Sequence, residues 1–446
     1  MYWGSWCPYC EQQLECLEQF QEQIAAQGNT RLILVNKTDA GKEETVQTGE
    51  RYLREKQWDQ YDHVYDVDLK AYRAYGMKRI PTTIVVDEAG YVRAMRSSVL
   101  DAEGLEELLE QARYGHAKQQ LAFLEKNMMN EEGGVYTAYL DSPGEPPKGH
   151  DVLSESMGLL MRCAVRLEDR ALFDRCWNYV SERMLRGGVC AWYVAEDGSQ
   201  GTSNALLDDL RIARALYEAQ TKWGGYAQPL EALAAGILSR NLYEGQLSAF
   251  YDFRQERTGG SISLTYCDFG ALDALAQVRP EYGPLREALL QTVQGGFIGK
   301  QFPLYYAAFD YQSGAYSGDS LNTAEALLTV YHLSEIGQAR EETLQWLKEN
   351  LQAGTLAARY RVDGSAVEGY QYDSTAVFAI TALIGQSTGD GELYRLAREK
   401  MEQYWLRDRA HPLYGAFSQK ADGSDIQSFD QLLPLTVYCN SQDARF

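Results

Sequence analysis

Three groups of residues in this 446-residue chain have types and spacings suited to chemistry. The first is Cys7-Pro8-Tyr9-Cys10, a dithiol followed by the polar, helix-favouring run Glu11 to Gln27. A helix N-terminus offers unpaired N–H groups and a dipole that favour thiolate. Thiol–disulfide exchange is the chemistry that follows, with Cys7 as the exposed attacking thiol and Cys10 as the resolving one. Zinc fits less well, because a tetrahedral site needs two further ligands and only Cys16 and His63 lie within roughly the next hundred residues. The second group is Leu207-Asp208-Asp209-Leu210, adjacent carboxylates inside an apolar helical pattern. Neighbouring side chains on a helix point about 100° apart. One carboxylate is therefore expected to reach a cleft while the other pairs with Arg211 or Arg214. The third group is Glu155, in Ser154-Glu155-Ser156-Met157-Gly158, and Asp319, after the Gly- and Tyr-rich run from Phe309 to Gly318. Both stand at expected helix starts, where capping by Ser154 and Asp319 is the plainer use.

Positioning these groups requires two kinds of framework. Arg31–Asn36 and Thr82–Asp87 read as strands, with helices over Glu43–Gln57 and Lys70–Tyr75, an alternation that implies an α/β layer fold. Leu105 to Leu124 is a charge-laced helical stretch that contains the junction, and Gly133-Gly134-Val135-Tyr136 opens a region of different character. Amphipathic periodicity there predicts helices over 154–167, 171–185, 204–222, 229–241, 269–277, 284–294, 320–336, 341–352, 374–384, 392–406 and 428–438, with no credible strand ladder. Long Gly-, Tyr- and Asp-rich loops between helix hairpins suggest an α/α toroid whose loops form a cleft. An α-solenoid is disfavoured by the lack of a fixed repeat period. The expected domains are residues 1–115 and 116–446.

Composition narrows the partners. Lys and Arg total 42 against 63 Asp and Glu, and the net charge of −21 repels phosphate backbones and anionic membranes. Nucleic acid is not an expected partner. No run reaches the roughly 18 apolar residues of a membrane span, and no basic, then apolar, leader opens the chain. The 31 Tyr and 8 Trp suit clefts that stack on sugar rings. Cys163, Cys176, Cys190, Cys267 and Cys439 lie mostly in apolar helical patterns and read as buried thiols.

Residues Met1 to about Tyr114 resemble the TlpA-like branch of the thioredoxin superfamily, on Trp6-Cys7-Pro8-Tyr9-Cys10 and Ile80-Pro81-Thr82. The resemblance implies a cis Pro81 facing the dithiol and leaving room for a substrate chain. A strand normally leads into the motif, and here only Tyr2 and Trp3 represent it. The domain is thus expected to lack its first strand, with a secretion signal or lipid anchor ahead of it and an extracytoplasmic location.

Gly133 to Phe446 resembles glycoside hydrolase family 8, the inverting (α/α)6-barrel enzymes that cleave β-1,4-linked glycans. The segments are Ser154 to Gly158 with Phe173-Asp174-Arg175-Cys176-Trp177, Leu207 to Trp223, the stretch into Asp319-Ser320, and Phe429-Asp430-Gln431-Leu432-Leu433. The resemblance implies Glu155 as the acid, Asp209 as the carboxylate gripping the sugar, and Asp319 as the base, with Asp373 of Tyr372-Asp373-Ser374 as the rival base. Inversion needs an acid and a base about 6.5–9.5 Å apart on opposite faces of the sugar. Tyr136, Trp192, Tyr193, Tyr266, Tyr311 and Tyr316 are candidate sugar platforms. The family usually has glycine after the acid, an aromatic a few residues on and arginine three past the base; Ser156, Leu159 and Asn322 stand there instead. The expected function is hydrolysis of a β-linked glycan beside a thiol–disulfide module that exchanges with a partner protein, without metal or cofactor. The alternative is a thiol–disulfide oxidoreductase whose helical domain only binds glycan or a protein.

Overall fold

The computed structural model describes residues 1–26, 30–86, 92–408 and 410–440, with side chains at all of these except 22–26, 113 and 114. The chain forms two compact units, Met1–Gly115 and His116–Phe446.

The first unit runs β1 (Tyr2–Trp3), α1 (Pro8–Ala26), β2 (Ile33–Asn36), α2 (Val46–Glu55), β3 (Asp62–Tyr65), α3 (Lys70–Ala74), β4 (Thr83–Val86), β5 (Val92–Arg96) and the start of α4 (Ala102–Asn127). β1 pairs in parallel with β2, which pairs in parallel with β3. On its other side Tyr2 exchanges backbone hydrogen bonds of 2.8 and 3.3 Å with Thr82, just ahead of the β4–β5 hairpin. Two residues thus stand at the centre of the sheet. Cys10, Leu14 and Leu17 recur at helical spacing and turn one face of α1 into a core with Trp3, Leu34, Leu53 and Leu108. α2 is shorter than the pattern predicts because Thr45 caps it reciprocally with Thr48. Gln27 and Asp87, at the ends of expected elements, lie outside the described residues.

The second unit adds α5 (Ser154–Arg166), α6 (Arg170–Tyr179), α7 (Leu206–Trp223), α8 (Ala227–Arg240), α9 (Phe269–Val278), α10 (Tyr282–Gly295), α11 (Thr323–Glu335), α12 (Glu341–Ala353), α13 (Thr375–Thr388), α14 (Gly391–Glu402) and α15 (Ser428–Asn440). Each of the eleven expected helices is present. α5, α7, α9, α11, α13 and α15 pack in that order, and α15 returns to α5, so the inner helices close a ring and the solenoid is excluded. α6, α8, α10 and α14 pack outside α5, α7, α9 and α13, and Gln120 of α4 donates to the Gln431 carbonyl of α15. This is an (α/α)6 toroid. The inner helices are buried on nearly all sides, α13 from Thr375 through Gln386, whereas the outer ones are buried along one stripe. No helix of the described residues is long and apolar enough to cross a membrane.

The loops depart from expectation, because they hold short antiparallel strands of two to four residues, too brief to show a period in the sequence. Ser261–Ser263, Ala308–Asp310 and Ala315–Ser317 make a three-stranded sheet. Ser320–Asn322 pairs with Arg359–Arg361, which delays α11 to Thr323 and makes Asn322 its cap.

Glycine sets the approach of α13 to α14: a Cβ on Gly385 would stand 2.6 Å from the Tyr394 backbone nitrogen. Gly385→Ala is expected to cost about 1–3 kcal/mol by forcing the helices apart. Gly283→Ala, where a Cβ meets nothing within 4 Å, should be neutral or slightly stabilising. Urea unfolding of the two variants checks the contrast.

Candidate active site

At one end of the toroid the ring opens into a cavity of about 570 Å3. Four carboxylates from four inner helices line it: Glu155 of α5, Asp208 of α7, Glu325 of α11 and Asp430 of α15. Trp192, Tyr266, Tyr370, Tyr372 and Phe429 supply aromatic walls, and Arg359 adds a cation.

Arg211 organises one wall. It lies one turn beyond Asp208 on the same helix face, is almost fully buried, and donates from Nη1 to Glu155 Oε1 at 2.8 Å, with Asp208 Oδ1 at 3.9 Å. Ser154 donates from Oγ to the other Asp208 oxygen at 2.6 Å. Its hydroxyl serves the cavity instead of capping α5, whose cap position is Leu153. Burial and then the Glu155 charge push the Asp208 carboxyl up to about 7. Burial also raises Asp430 to about 6, against a 2.9 Å hydrogen bond from the Ala376 N–H. Glu325 is open to the cavity solvent. Partial desolvation still raises its carboxyl above the usual range; Arg359 opposes the rise and Glu155 adds to it. Tyr266 is raised by burial and by the charges of Asp208, Glu155 and Glu325, which places its ring among the acids.

Of the residues expected from sequence, Glu155, Trp192 and Tyr266 meet in this cavity. Asp209 does not. It is completely buried behind the wall, accepting from Asn204 Nδ2 at 2.7 Å and the Cys190 N–H at 2.8 Å, and pairs with neither expected arginine. Asp319 does not either: it sits exposed in the bend before Ser320, displaced from the helix cap by the strand that follows. Asp373 accepts from the Tyr404 hydroxyl and is also outside the lining. Tyr136 stacks on His150 with centroids 4.5 Å apart, and Tyr193 packs edge-on against Trp192. The Tyr311 and Tyr316 hydroxyls donate to the Leu247 and Thr292 carbonyls at 2.6 Å. All four are packing residues outside the lining. Glu325 was missed, although the reasoning that picked out Glu155, an acid in the first turn of an apolar helix, applies to it equally.

In the first unit, Cys7 stands just before α1 and Cys10 in its first turn. Cys7, expected to stand exposed, is instead buried at 8% exposure beneath the Ile80–Pro81 turn, and Cys10 is fully buried; both are free thiols. The Cys10 N–H donates to Cys7 Sγ at 3.2 Å, and Cys7 Sγ donates to the Ile80 carbonyl at 3.8 Å, ahead of a cis Ile80–Pro81 bond. Burial and the hydrogen bond with Cys7 push the Cys10 thiol far up. Alongside, Glu44 accepts from the Ser5 N–H and from Asn36 Nδ2 at 3.1 and 2.7 Å, fixing the motif's approach.

One chain thus carries a dithiol domain of thioredoxin type and a helical barrel with a carboxylate-lined mouth. Family comparison says the same: a model described as Redoxin matches residues 1–109, and one described as Glycosyl hydrolases family 8 matches residues 126–245. The chain carries a thioredoxin-like redoxin domain and a glycosyl hydrolase family 8 domain. Among curated proteins it is similar to the putative lipoprotein YdaJ of Bacillus subtilis (strain 168), 26% identical over 322 residues, 70% of this chain and 84% of that one. It is also similar to the thiol-disulfide oxidoreductase ResA of Halalkalibacterium halodurans, 29% identical over 109 residues, 24% of this chain and 58% of that one. A solved structure described as a novel alpha-amylase from Clostridium perfringens is 28% identical with a TM-score of 0.67, over 73% of this chain and 97% of that one.

Burial raises the Asp209 carboxyl to about 7. A carboxyl whose folded pKa exceeds its unfolded value stabilises the fold fully below the unfolded value, and that contribution is lost as pH rises through the folded one. Asp209 therefore costs stability between about pH 4 and 7. Unfolding free energies across that range should fall less steeply with pH in Asp209→Asn than in the wild type. Parallel curves would show that Asp209 titrates alike in the folded and unfolded chain.

Proposed function

We propose that the helical domain hydrolyses a β-linked glycan, a β-1,4-glucan or related exopolysaccharide, by an inverting mechanism with Glu155 as the acid. The observation that carries this reading is the set of carboxylates from four inner helices lining one aromatic-walled cavity. Glu155 gives its proton to the glycosidic oxygen while a second carboxylate takes one from a water that attacks the anomeric carbon on the other face. Arg211 holds one Glu155 oxygen and leaves the other to face the leaving group. Asp208 accepts from sugar hydroxyls, and Trp192, Tyr266, Tyr370 and Tyr372 stack on the rings. The description of the Clostridium perfringens structure as an alpha-amylase supports an α-glucan as the second substrate class.

The dithiol exchanges disulfides with a partner protein, Cys7 attacking and Cys10 resolving, beside Pro81. The word lipoprotein in the description of YdaJ supports an extracytoplasmic location.

Glu155→Gln is expected to abolish reducing-end release from carboxymethylcellulose, lichenan or xylan, with amylose assayed alongside to separate the substrate classes. Cys7→Ser should leave that release intact and abolish insulin reduction. A wild type that reduces insulin, binds polysaccharide and releases no sugar would instead make the helical domain a binding module.

A further inference from the structure

We propose that Glu325 is the general base that activates the water. The inference rests on the hydrolase reading of the same cavity and names its second catalytic residue.

Position comes first. From α5 the ring reaches α11 in three steps in either direction, through α7 and α9 or through α15 and α13. Glu325, in the first turn of α11, therefore lines the cavity from the helix opposite the one bearing Glu155. Inversion asks for that placement, with proton donor and proton acceptor on opposite faces of the sugar. Asp208 and Asp430 come from the two helices flanking α5 and share its side of the mouth.

Availability is the second point. Glu155 is engaged by Arg211, Asp208 by Ser154 and Asp430 by the Ala376 N–H. Among the described residues Glu325 is the cavity carboxylate with neither a hydrogen bond nor an ion pair on its carboxylate oxygens, although its backbone carbonyl accepts from Thr265 Oγ1 at 3.0 Å. Its backbone N–H is tied to Asn322 Oδ1, which fixes the residue while leaving its carboxylate for water. Partial desolvation raises the carboxyl, and a base works best with a pKa near the operating pH. Asp319 is exposed outside the lining, and Asp373 is bound to Tyr404.

The step balances without a further reactant. The water oxygen bonds to the anomeric carbon as the glycosidic C–O bond breaks; Glu325 takes one water proton, and Glu155 gives its own to the leaving oxygen. Solvent then returns both groups to their starting states.

The test uses the full chain and whichever glycan the wild type cleaves. Glu325→Gln should lower kcat about a hundredfold to ten-thousandfold, with KM changed only a few-fold and the unfolding midpoint kept. The acid limb of the kcat/KM pH profile should disappear with it. Azide should restore turnover of Glu325→Ala, giving a glycosyl azide of inverted configuration. Asp319→Asn and Asp373→Asn should stay near wild type. Glu325→Gln with kcat within tenfold of wild type, while Glu155→Gln is inactive, would overturn the assignment and leave the hydrolase reading standing. A wild type that cleaves no glycan removes both.

Discussion

Arg214 ties the toroid together. Its guanidinium, buried among inner helices, donates to Asp268 at the start of α9 and to both oxygens of Glu335 in α11, and lies 3.4 Å from Glu218 on its own helix. Arg162 of α5 joins through Glu218 at 3.3 Å. Burial alone would raise the Asp268 carboxyl, but Arg214, His332 and Arg162 hold it far below the usual range. Removing one member of such a buried set costs about 3–5 kcal/mol, because the charges left behind have no water to turn to. Inner helices are buried on almost every side and much of that surface is apolar, so sliding or rotation of one against another is weakly opposed by shape alone. A charged lattice fixes their rotation, and with it which side chains face the ring axis.

That rotation decides the chemistry. Along α7, Asp208, Arg211 and Glu218 follow one another at spacings of three and seven, a polar stripe running from the cavity into the charged lattice. Asp209, one position over, is turned out of the stripe, its oxygens accepting from Asn204 and the Cys190 N–H. Of two adjacent aspartates, helix phase alone gives one to the mouth and one to the wall.

Much of this was legible in the sequence, and the failures have physical reasons. Helices declare themselves through a period of 3.6 sustained over ten or more residues, and all eleven in the second unit were found. Strands of two to four residues carry no such signal. Missing Ser320–Asn322 placed α11 three residues early and put Asp319 where Asn322 stands. Glu155 was readable from local context, whereas choosing Asp208 over Asp209 required knowing the rotation of α7, which long-range ion pairs set. The tyrosine surplus suggested sugar platforms, yet Tyr136, Tyr311 and Tyr316 stack or close loops through their hydroxyls, and the exposed rings at the mouth are Tyr370 and Tyr372. The dithiol was the easiest reading, since Cys7, Cys10 and the start of α1 are neighbours in sequence; Glu44 behind them gave no sign.

Closure of the ring by α15 against α5 also has a bearing on time. The cavity draws on Glu155 near the beginning of the barrel and on Phe429 and Asp430 near its end. During synthesis, five inner helices leave the ribosome before the sixth exists, and until it arrives the apolar flanks of α5 and α13 have no neighbour to cover them. Pairing segments this far apart in the chain is slow, and the open intermediate is prone to aggregate. The barrel's mouth is therefore among the last parts of the barrel to form, and a chain cut short before residue 428 lacks α15 and with it two residues of the cavity lining.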